Sequence, residues 1–431
     1  MVKELISCRL CRGQTLEKLL SLGDQAFTGV FPKSADEKIP SGPLELVKCG
    51  ACHLIQLGHS FSPDELYGQN YGYRSGLNQS MVSHLAELVS TTCGFSPLKS
   101  GDIVLDIGSN DSTLLRSYPP NLNLRKIGVD PSGRKFIEYY PEDVTLIPDF
   151  FSKSSVSRVI GTEKARVITS IAMFYDLEEP LKFVGEVASC LAEDGLWVFE
   201  QSYLPSMLST LSYDTICHEH LEYYGLRQIK WMLDEHHLKM VDVRLNSVNG
   251  GSFRVTAAHL SNPLPEATET VNRLLQQEVG LGLATSVPYD HFARMTEAHR
   301  TDLLVTLNEL KQKGKKVFGY GASTKGNVLL QYCGLSVKQL PFIAEVNEDK
   351  FGRVTPGTHI PIISEAEAKA MKPDVFLVLP WHFRSGILLR ERAFLEQGGQ
   401  FLFPLPKIEM VNWAALRSLT ATHHQSPAAN L

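Results

Sequence analysis

Short apolar runs, each closed by a polar or glycine-bearing turn, recur through the middle and the end of the chain. "DIVLDIG" (102–108) predicts a buried strand, and "SNDSTLLRSY" behind it turns from loop to helix. "KIGVDPS" (126–132) is a second strand, ending in Asp130; "ARVITSIAMF" and "GLWVFEQS" continue the alternation to about residue 200. Apolar residues at helical spacing then mark a long amphipathic helix over 285–312, stopped by Gly314. A second block follows: the strand "KKVFGYGAS", the helix "TKGNVLLQYCG", and the strands "LPFIAEVNEDKFG" and "PDVFLVLPW". Strands alternating with helices predict parallel sheets, so the fold class is α/β in two successive blocks.

Composition narrows the class. A chain of 431 residues exceeds one ordinary core, and 43% hydrophobic with 21% charged residues is that of a globular protein. A net charge of −5 gives no reason to expect nucleic acid or an anionic membrane as partner. The longest apolar runs, such as "VFLVLPW" from Val375, fall far short of the roughly 20 residues of a membrane span. No secretory leader is legible behind Lys3 and Glu4, so the expected location is cytoplasmic. Oligomeric state is not legible, and a monomer suffices.

Half of the eight cysteines lie near the start, as Cys8-Arg-Leu-Cys11 and Cys49-Gly-Ala-Cys52. Two such knuckles can hold one tetrahedral zinc through four thiolates, which closes its coordination sphere and makes the metal structural. Gly13 and Gly50 suit the tight turns. The alternative is two unrelated pairs of buried or redox-active thiols. The expected domains are 1–70 around zinc, 71–280, 281–415, and a disordered tail over 416–431.

The first α/β block reads as a Rossmann-like half: strand, glycine turn, helix, and a second strand ending in an acid. "GSNDST" lacks the G-x-G-x-x-G of dinucleotide folds. It resembles motif I of S-adenosylmethionine methyltransferases, which implies Asp106, Gly108 and Asn110 by the methionine part of the cofactor. Asp130 and Pro131 would then serve the ribose, and Asp149 and Phe150 the adenine, with Ser170 a further contact. A domain binding another nucleotide, or none, stays open here. In the second block, Gly319–Asn327 puts small residues and Lys325 beside a helix start, as phosphate sites do; glycines serving only a tight crossover are the alternative.

"YDTICHEHLEYY" (213–224) crowds imidazoles, a thiol and carboxylates together. In a strand, His218, His220 and Glu222 would share one face and could bind a divalent ion. An acid–base centre, a polar loop, and Cys217 as a nucleophile are the other readings.

The cysteine head, "DIGSND", "VDPS", "YDTICHEHLEYY", "NGGSFRV", "GYGASTKGN", "PGTHIPI" and "PDVFLVLPW" occur in one order from Cys8 to about Pro406. That order resembles the C-methyltransferases acting on nucleotide-linked 4-keto-deoxysugars. The resemblance implies a small zinc-binding domain, a central Rossmann-like class I methyltransferase domain and a C-terminal Rossmann-like domain, with S-adenosylmethionine and one structural zinc. It implies a nucleotide-linked keto-sugar substrate held by the last two domains, with Ser323, Lys325, Asn327, Glu345 and His382 among its contacts. A carbon beside a ketone must lose a proton before it can accept a methyl group, and histidine suits that task. His220 is the expected base, oriented by Glu219; His218 and Tyr224 would serve the enolate oxygen, and Cys217, Tyr223 and Asn249 the sugar. Here Ser112 stands where the family keeps a second glycine, Cys217 where it keeps a tyrosine, and "PWHF" where it writes "PWN". An O-methyltransferase, or a member that only binds sugar nucleotides, is the rival reading.

Overall fold

The computed structural model of the chain describes residues 2–62, 66 and 73–423. By packing, the chain forms two compact units, both discontinuous. One holds residues 1–21, 44–208 and 218–290; the other holds 22–43, 209–217 and 291–431. These divisions differ from contiguous boundaries at 70, 280 and 415 because long-range bonds, invisible to local pattern, tie distant segments together. In the second unit Gln331 brackets Ala26, accepting from its N–H at 2.8 Å and donating to its carbonyl at 3.1 Å. Asn327 Nδ2 donates to Thr28 O at 2.7 Å, and Arg353 Nη1 to Phe31 O at 2.9 Å.

The head is a small sheet. β2 (Leu16–Ala26), β3 (Ser41–Cys49), β4 (Ile55–Leu57) and β11 (Glu222–Tyr223) lie in the order β11-β4-β3-β2, and β1 (Lys3–Glu4) pairs with β5 (His59–Ser60). The main sheet has seven strands: β6 (Ile103–Ile107), β7 (Arg125–Val129), β8 (Val144–Ile147), β9 (Ala165–Ile171), β10 (Leu191–Ser202), β12 (Leu238–Asn246) and β13 (Ser252–His259). Their order is β12-β13-β10-β9-β6-β7-β8, parallel except for β13, which runs against both neighbours. The sheet is buried on both faces: Ile103, Leu105 and Ile107 join one apolar cluster while Val104, between them, joins another. That is the period of a strand, and each such side chain contributes about 2 kcal/mol by leaving water. The helix Gln79–Phe95 covers the Val104 face with Met81, Leu85, Leu88, Val89 and Thr92, spaced as one helical stripe, and Asn78 caps it by accepting from Ser80 N at 3.0 Å.

The second unit carries six strands: β14 (Val317–Tyr320), β15 (Ile343–Glu345), β16 (Ile362–Ser364), β17 (Val375–Val378), β18 (Gln400–Phe403) and β19 (Glu409–Val411). They lie in the order β16-β15-β14-β17-β18-β19, with only β19 antiparallel. The connections run both ways from β14, so the crevice beyond β14 and β17 is a topological switch point, where α/β sheets bind ligands. The helix Val287–Gln312 leads into this unit. A final helix, Trp413–His423, carries regular structure past residue 416, where a disordered tail was expected; residues 424–431 lie outside the described residues. No helix among the described residues is long and apolar enough to cross a membrane.

Candidate active site

The four knuckle cysteines converge. Their sulfurs lie within 4.8 Å of one another, with Cys8 3.6 Å from Cys52 and Cys11 3.5 Å from Cys49, and none is in a disulfide. Thiolates set tetrahedrally at about 2.3 Å from a zinc ion stand roughly 3.8 Å apart, so the donor set fits that metal. The knuckle turns are built differently from the expectation. The left-handed backbone falls on Arg12 (φ 61°) and His53 (φ 60°), not on the glycines. Gly13 is needed for space: a Cβ there would sit 3.3 Å from Cys11 Sγ and 3.4 Å from Cys49 Sγ. Gln56 Nε2 donates to Cys8 Sγ at 3.2 Å, and its backbone pairs with Glu222.

At the C-terminal ends of β6, β7, β9 and β10 lies a cavity of about 210 Å³. Of the expected cofactor residues, Asp106, Gly108, Asn110, Asp130, Pro131 and Phe150 line it. Gly108 has φ 77°, which turns the chain sharply off β6. Asp130 Oδ1 accepts from Ser132 N (2.7 Å) and Oγ (2.6 Å), and Oδ2 from Asn110 N (2.8 Å). A carboxylate oxygen takes two such bonds, so Oδ2 keeps one place for a ribose hydroxyl. Burial pushes the Asp106 carboxyl up to about 7, against a 2.6 Å hydrogen bond from Thr169 and with help from the Asp130 charge. Asp149 is exposed and not among the lining residues. Ser170 is a correction: its hydroxyl accepts from Trp197 Nε1 at 2.9 Å within the apolar core, and it does not reach the cavity.

Asn249 and Ser252 line the cavity as well, together with three residues that pattern reading missed: Asp176, Glu200 and Gln201. Glu200 sits in a buried network, accepting from Arg254 Nε and Asn246 Nδ2 at 2.9 Å each, with His84 Nε2 2.5 Å away. Burial works to raise its carboxyl, but the bond to His84 and the charges of His84 and Arg254 outweigh this and hold it low. The one sequence signal was the polar run Glu200, Gln201 and Ser202 closing the otherwise apolar strand "GLWVFEQS".

The His-Glu-His triplet lies in a turn, not a strand; β11 begins only at Glu222. His218, His220 and Glu222 therefore share no strand face, and among the described residues the four cysteines are the one cluster of three or more metal-type ligands. That removes the divalent-ion reading. His218 and Glu219 are buried, and His218 meets Phe61 edge-on at 4.7 Å. His220 is half-buried, its ring 4.4 Å from that of Tyr175, the neighbour of the cavity residue Asp176. Tyr224 is fully buried in the core against Phe174, away from the cavity, with no partner for its hydroxyl. Tyr223 is buried beside it on β11.

The second unit has its own polar cluster at the switch point. Ser323 caps the helix Thr324–Tyr332, accepting from Gly326 N at 3.0 Å. Burial lowers the Lys325 ammonium, opposed by the nearby charges of Asp214 and Cys217. His382 is pushed well below the ordinary histidine range, first by burial and then by the Lys325 charge. Asp214, also missed by pattern reading, accepts from Trp381 Nε1 at 2.7 Å. Cys217, Lys325 and His382 are thus brought together. Asn327 is not, since it turns to Thr28, and Glu345 accepts from Ala322 N at 2.8 Å, Val346 N at 2.7 Å and Asn347 N at 2.9 Å.

Three family models match this chain in succession: "Putative zinc binding domain" over 8–67, "Methyltransferase domain" over 77–243, and "C-methyltransferase C-terminal domain" over 247–406. The chain is 32% identical over 418 residues to C-methyltransferase NovU of Streptomyces niveus, covering 96% of this chain and 98% of that one. The chain belongs to the C-methyltransferase family. Solved structures similar to part of this C-methyltransferase include the Burkholderia thailandensis 1,6-didemethyltoxoflavin-N1-methyltransferase with S-adenosylhomocysteine (13% identity, 42% of this chain, 79% of that chain, TM-score 0.32). Magnesium protoporphyrin IX methyltransferase of Synechocystis is another (13% identity, 42% and 88%, TM-score 0.32). A C-methyltransferase of this type depends on S-adenosylmethionine, and the cavity at β6 and β7 has the acids and the glycine turn to hold it. The four-cysteine cluster lies within the zinc-binding domain.

Proposed function

We propose that this C-methyltransferase acts on a nucleotide-linked 4-keto-6-deoxysugar, methylating C3 (or C5) through an enolate, for branched deoxysugar synthesis. One observation carries the reading: the half-buried His220 packs on Tyr175, whose neighbour Asp176 lines the cofactor cavity. An imidazole so placed is within one residue's reach of a ligand yet open enough to exchange protons. The cofactor would supply an electrophilic methyl group, and the protein must create the nucleophile. His220 takes the proton from the carbon beside the ketone, with Glu219 orienting it. His218 donates to the oxygen where negative charge collects. In the second unit, Ser323, Lys325, Cys217 and His382 form a polar cluster with the chemistry to bind a diphosphate, and the nucleotide sugar is the expected partner.

Solvent deuterium exchange at C3 and C5 of a nucleoside-diphosphate 4-keto-6-deoxyhexose, without S-adenosylmethionine, tests the mechanism. Exchange is expected, and His220→Ala should lower it by about 100-fold or more, the scale of a general base. Absence of exchange with a substrate that the enzyme methylates would sink the enolate route.

A further inference from the structure

The cavity wall contains one polar side chain whose hydrogen-bonding capacity is entirely unused. Gln201 is 1% exposed, lines the cavity, and has no partner for either its Nε2 or its Oε1. Buried amides in folded proteins are almost always paired, so an orphaned one facing a cavity calls for an explanation. Its neighbour Glu200 shows the contrast. Both Glu200 oxygens are engaged, by His84 on one side and by Arg254 and Asn246 on the other. The two residues end the same strand; one belongs to the protein's own network and the other to none.

Position says which ligand the amide faces. Gln201 sits at the end of β10, opposite Phe253 of β13, and Glu200 beside it is in register with Ile171 of β9. Asp130 follows β7, and the acid closing the second strand of such a half holds the ribose. From β7 to β10 the sheet crosses β6 and β9. Three strand spacings make about 14 Å. The ribose end of the cofactor therefore lies over one side of the sheet, and Gln201 on the other, where the methyl group must meet its acceptor. An amide offers donors and an acceptor side by side. It matches a ligand that carries an acceptor and a donor side by side, as a carbonyl and a hydroxyl on neighbouring carbons do, and it gains nothing from a hydrocarbon.

We propose that Gln201 is a specificity-determining residue that grips the methyl acceptor. Nε2 donates to a carbonyl oxygen and Oε1 accepts from an adjacent hydroxyl, so the site selects an α-hydroxyketone. The hydroxyketone rests on the sugar reading above; the placement of the amide on the acceptor side does not.

The test uses the full-length, zinc-loaded protein and the variants Gln201→Leu and Gln201→Met. Calorimetric titration with S-adenosylhomocysteine should give a Kd within twofold of wild type; a tenfold rise would assign the amide to the cofactor and overturn the proposal. Thermal unfolding without ligand should occur at the same or a higher temperature, since an orphaned buried amide is replaced by an apolar group. A clear fall in both variants would make the amide structural and overturn the proposal as well. With a nucleoside-diphosphate 4-keto-6-deoxyhexose and saturating S-adenosylmethionine, kcat/KM for the sugar should drop about 10- to 100-fold, the range for a lost hydrogen bond in a buried site, with KM for the cofactor unchanged. An unchanged kcat/KM for the sugar would refute the grip. Failure of the wild type to turn over this probe strikes the sugar reading and the hydroxyketone with it; the first two measurements use no sugar and still decide whether the amide serves the cofactor or the fold.

Discussion

The two larger sheets start alike and differ in what stands beside the acid of their second strand. β6 ends Asp106-Ile107-Gly108 and β14 ends Gly319-Tyr320-Gly321, with Gly108 at φ 77° and Gly321 at φ 81°. Each neighbouring strand is followed or closed by an acid, Asp130 beyond β7 and Glu345 on β15. In the first sheet the residue two before the turn glycine is a buried carboxylate. In the second it is Gly319, where a Cβ would meet Ile343 Cδ1 at 2.2 Å. Asp130 and Glu345 each accept three hydrogen bonds, two on one oxygen and one on the other. The open place on Asp130 belongs to a residue that lines the cofactor cavity, whereas Glu345 Oε2 lies 4.0 Å from the Lys350 ammonium. What separates them is what stands at the open lone pair, not fold or bond count.

The largest expected effect lies at Asp106. Its folded pKa of about 7 stands above the unfolded value of 3.8, because burial disfavours the charge. Between these values the folded state keeps a proton that the unfolded chain has released, so stability falls as pH rises from about 4 to 7 and is flat beyond. Asp106→Asn removes the titration. Denaturant unfolding at pH 8 should show the variant more stable by a few kcal/mol, with the gap closing toward pH 4. Parallel curves for the two proteins would mean that Asp106 is not held as described, and the contrast with Gly319 would lose its energetic side.

Much of this contrast was legible in the chain. "DIVLDIG", "ARVITSIAMF" and "PDVFLVLPW" each contain the strand that forms, and "KIGVDPS" all of β7 but its first residue, because buried parallel strands leave continuous apolar runs. The cysteine cluster was legible because knuckle spacing is local. The strand reading of the triplet, one of four alternatives, falls because those residues form a turn; alternation over five residues carries too little information to exclude one. Glu200 and Asp214 were missed because each gains its role from a bond to a residue far away in sequence, and Gln201 and Asp176 because the cavity they line exists only in the folded chain. His84, for example, reaches Glu200 across 116 positions, and Trp381 reaches Asp214 across 167. The discontinuous units escaped for the same reason.

A smaller effect separates the two turn glycines. At Gly321 an added Cβ would meet Pro380 Cδ and Cγ at 2.6 Å, on a rigid ring, in addition to the left-handed strain. Gly321→Ala should cost about 2–4 kcal/mol, combining that strain with overpacking. At Gly108 the nearest atom is Cγ of the flexible Met173, at 3.1 Å, so Gly108→Ala should cost only about 1–2 kcal/mol, mostly the left-handed term. Thermal unfolding of both variants measures the difference. Equal losses would show that the second turn is no more tightly packed than the first.

The smallest effect is the most discriminating. Asp130→Asn and Glu345→Gln each replace a carboxylate that accepts from three donors by an amide with one acceptor oxygen, and each should cost stability on the order of 1–2 kcal/mol. Their effects on S-adenosylhomocysteine should diverge. Asp130 has capacity left for a ribose hydroxyl, so Asp130→Asn should weaken binding about tenfold, equivalent to about 1.4 kcal/mol. Glu345 is not among the residues that line the cavity, so Glu345→Gln should leave that Kd within twofold. Titration calorimetry on the two variants reads this directly. If Asp130→Asn binds as the wild type does, the spare lone pair is not what holds the ribose. If Glu345→Gln weakens binding equally, lining the cavity is not what sets Asp130 apart from Glu345.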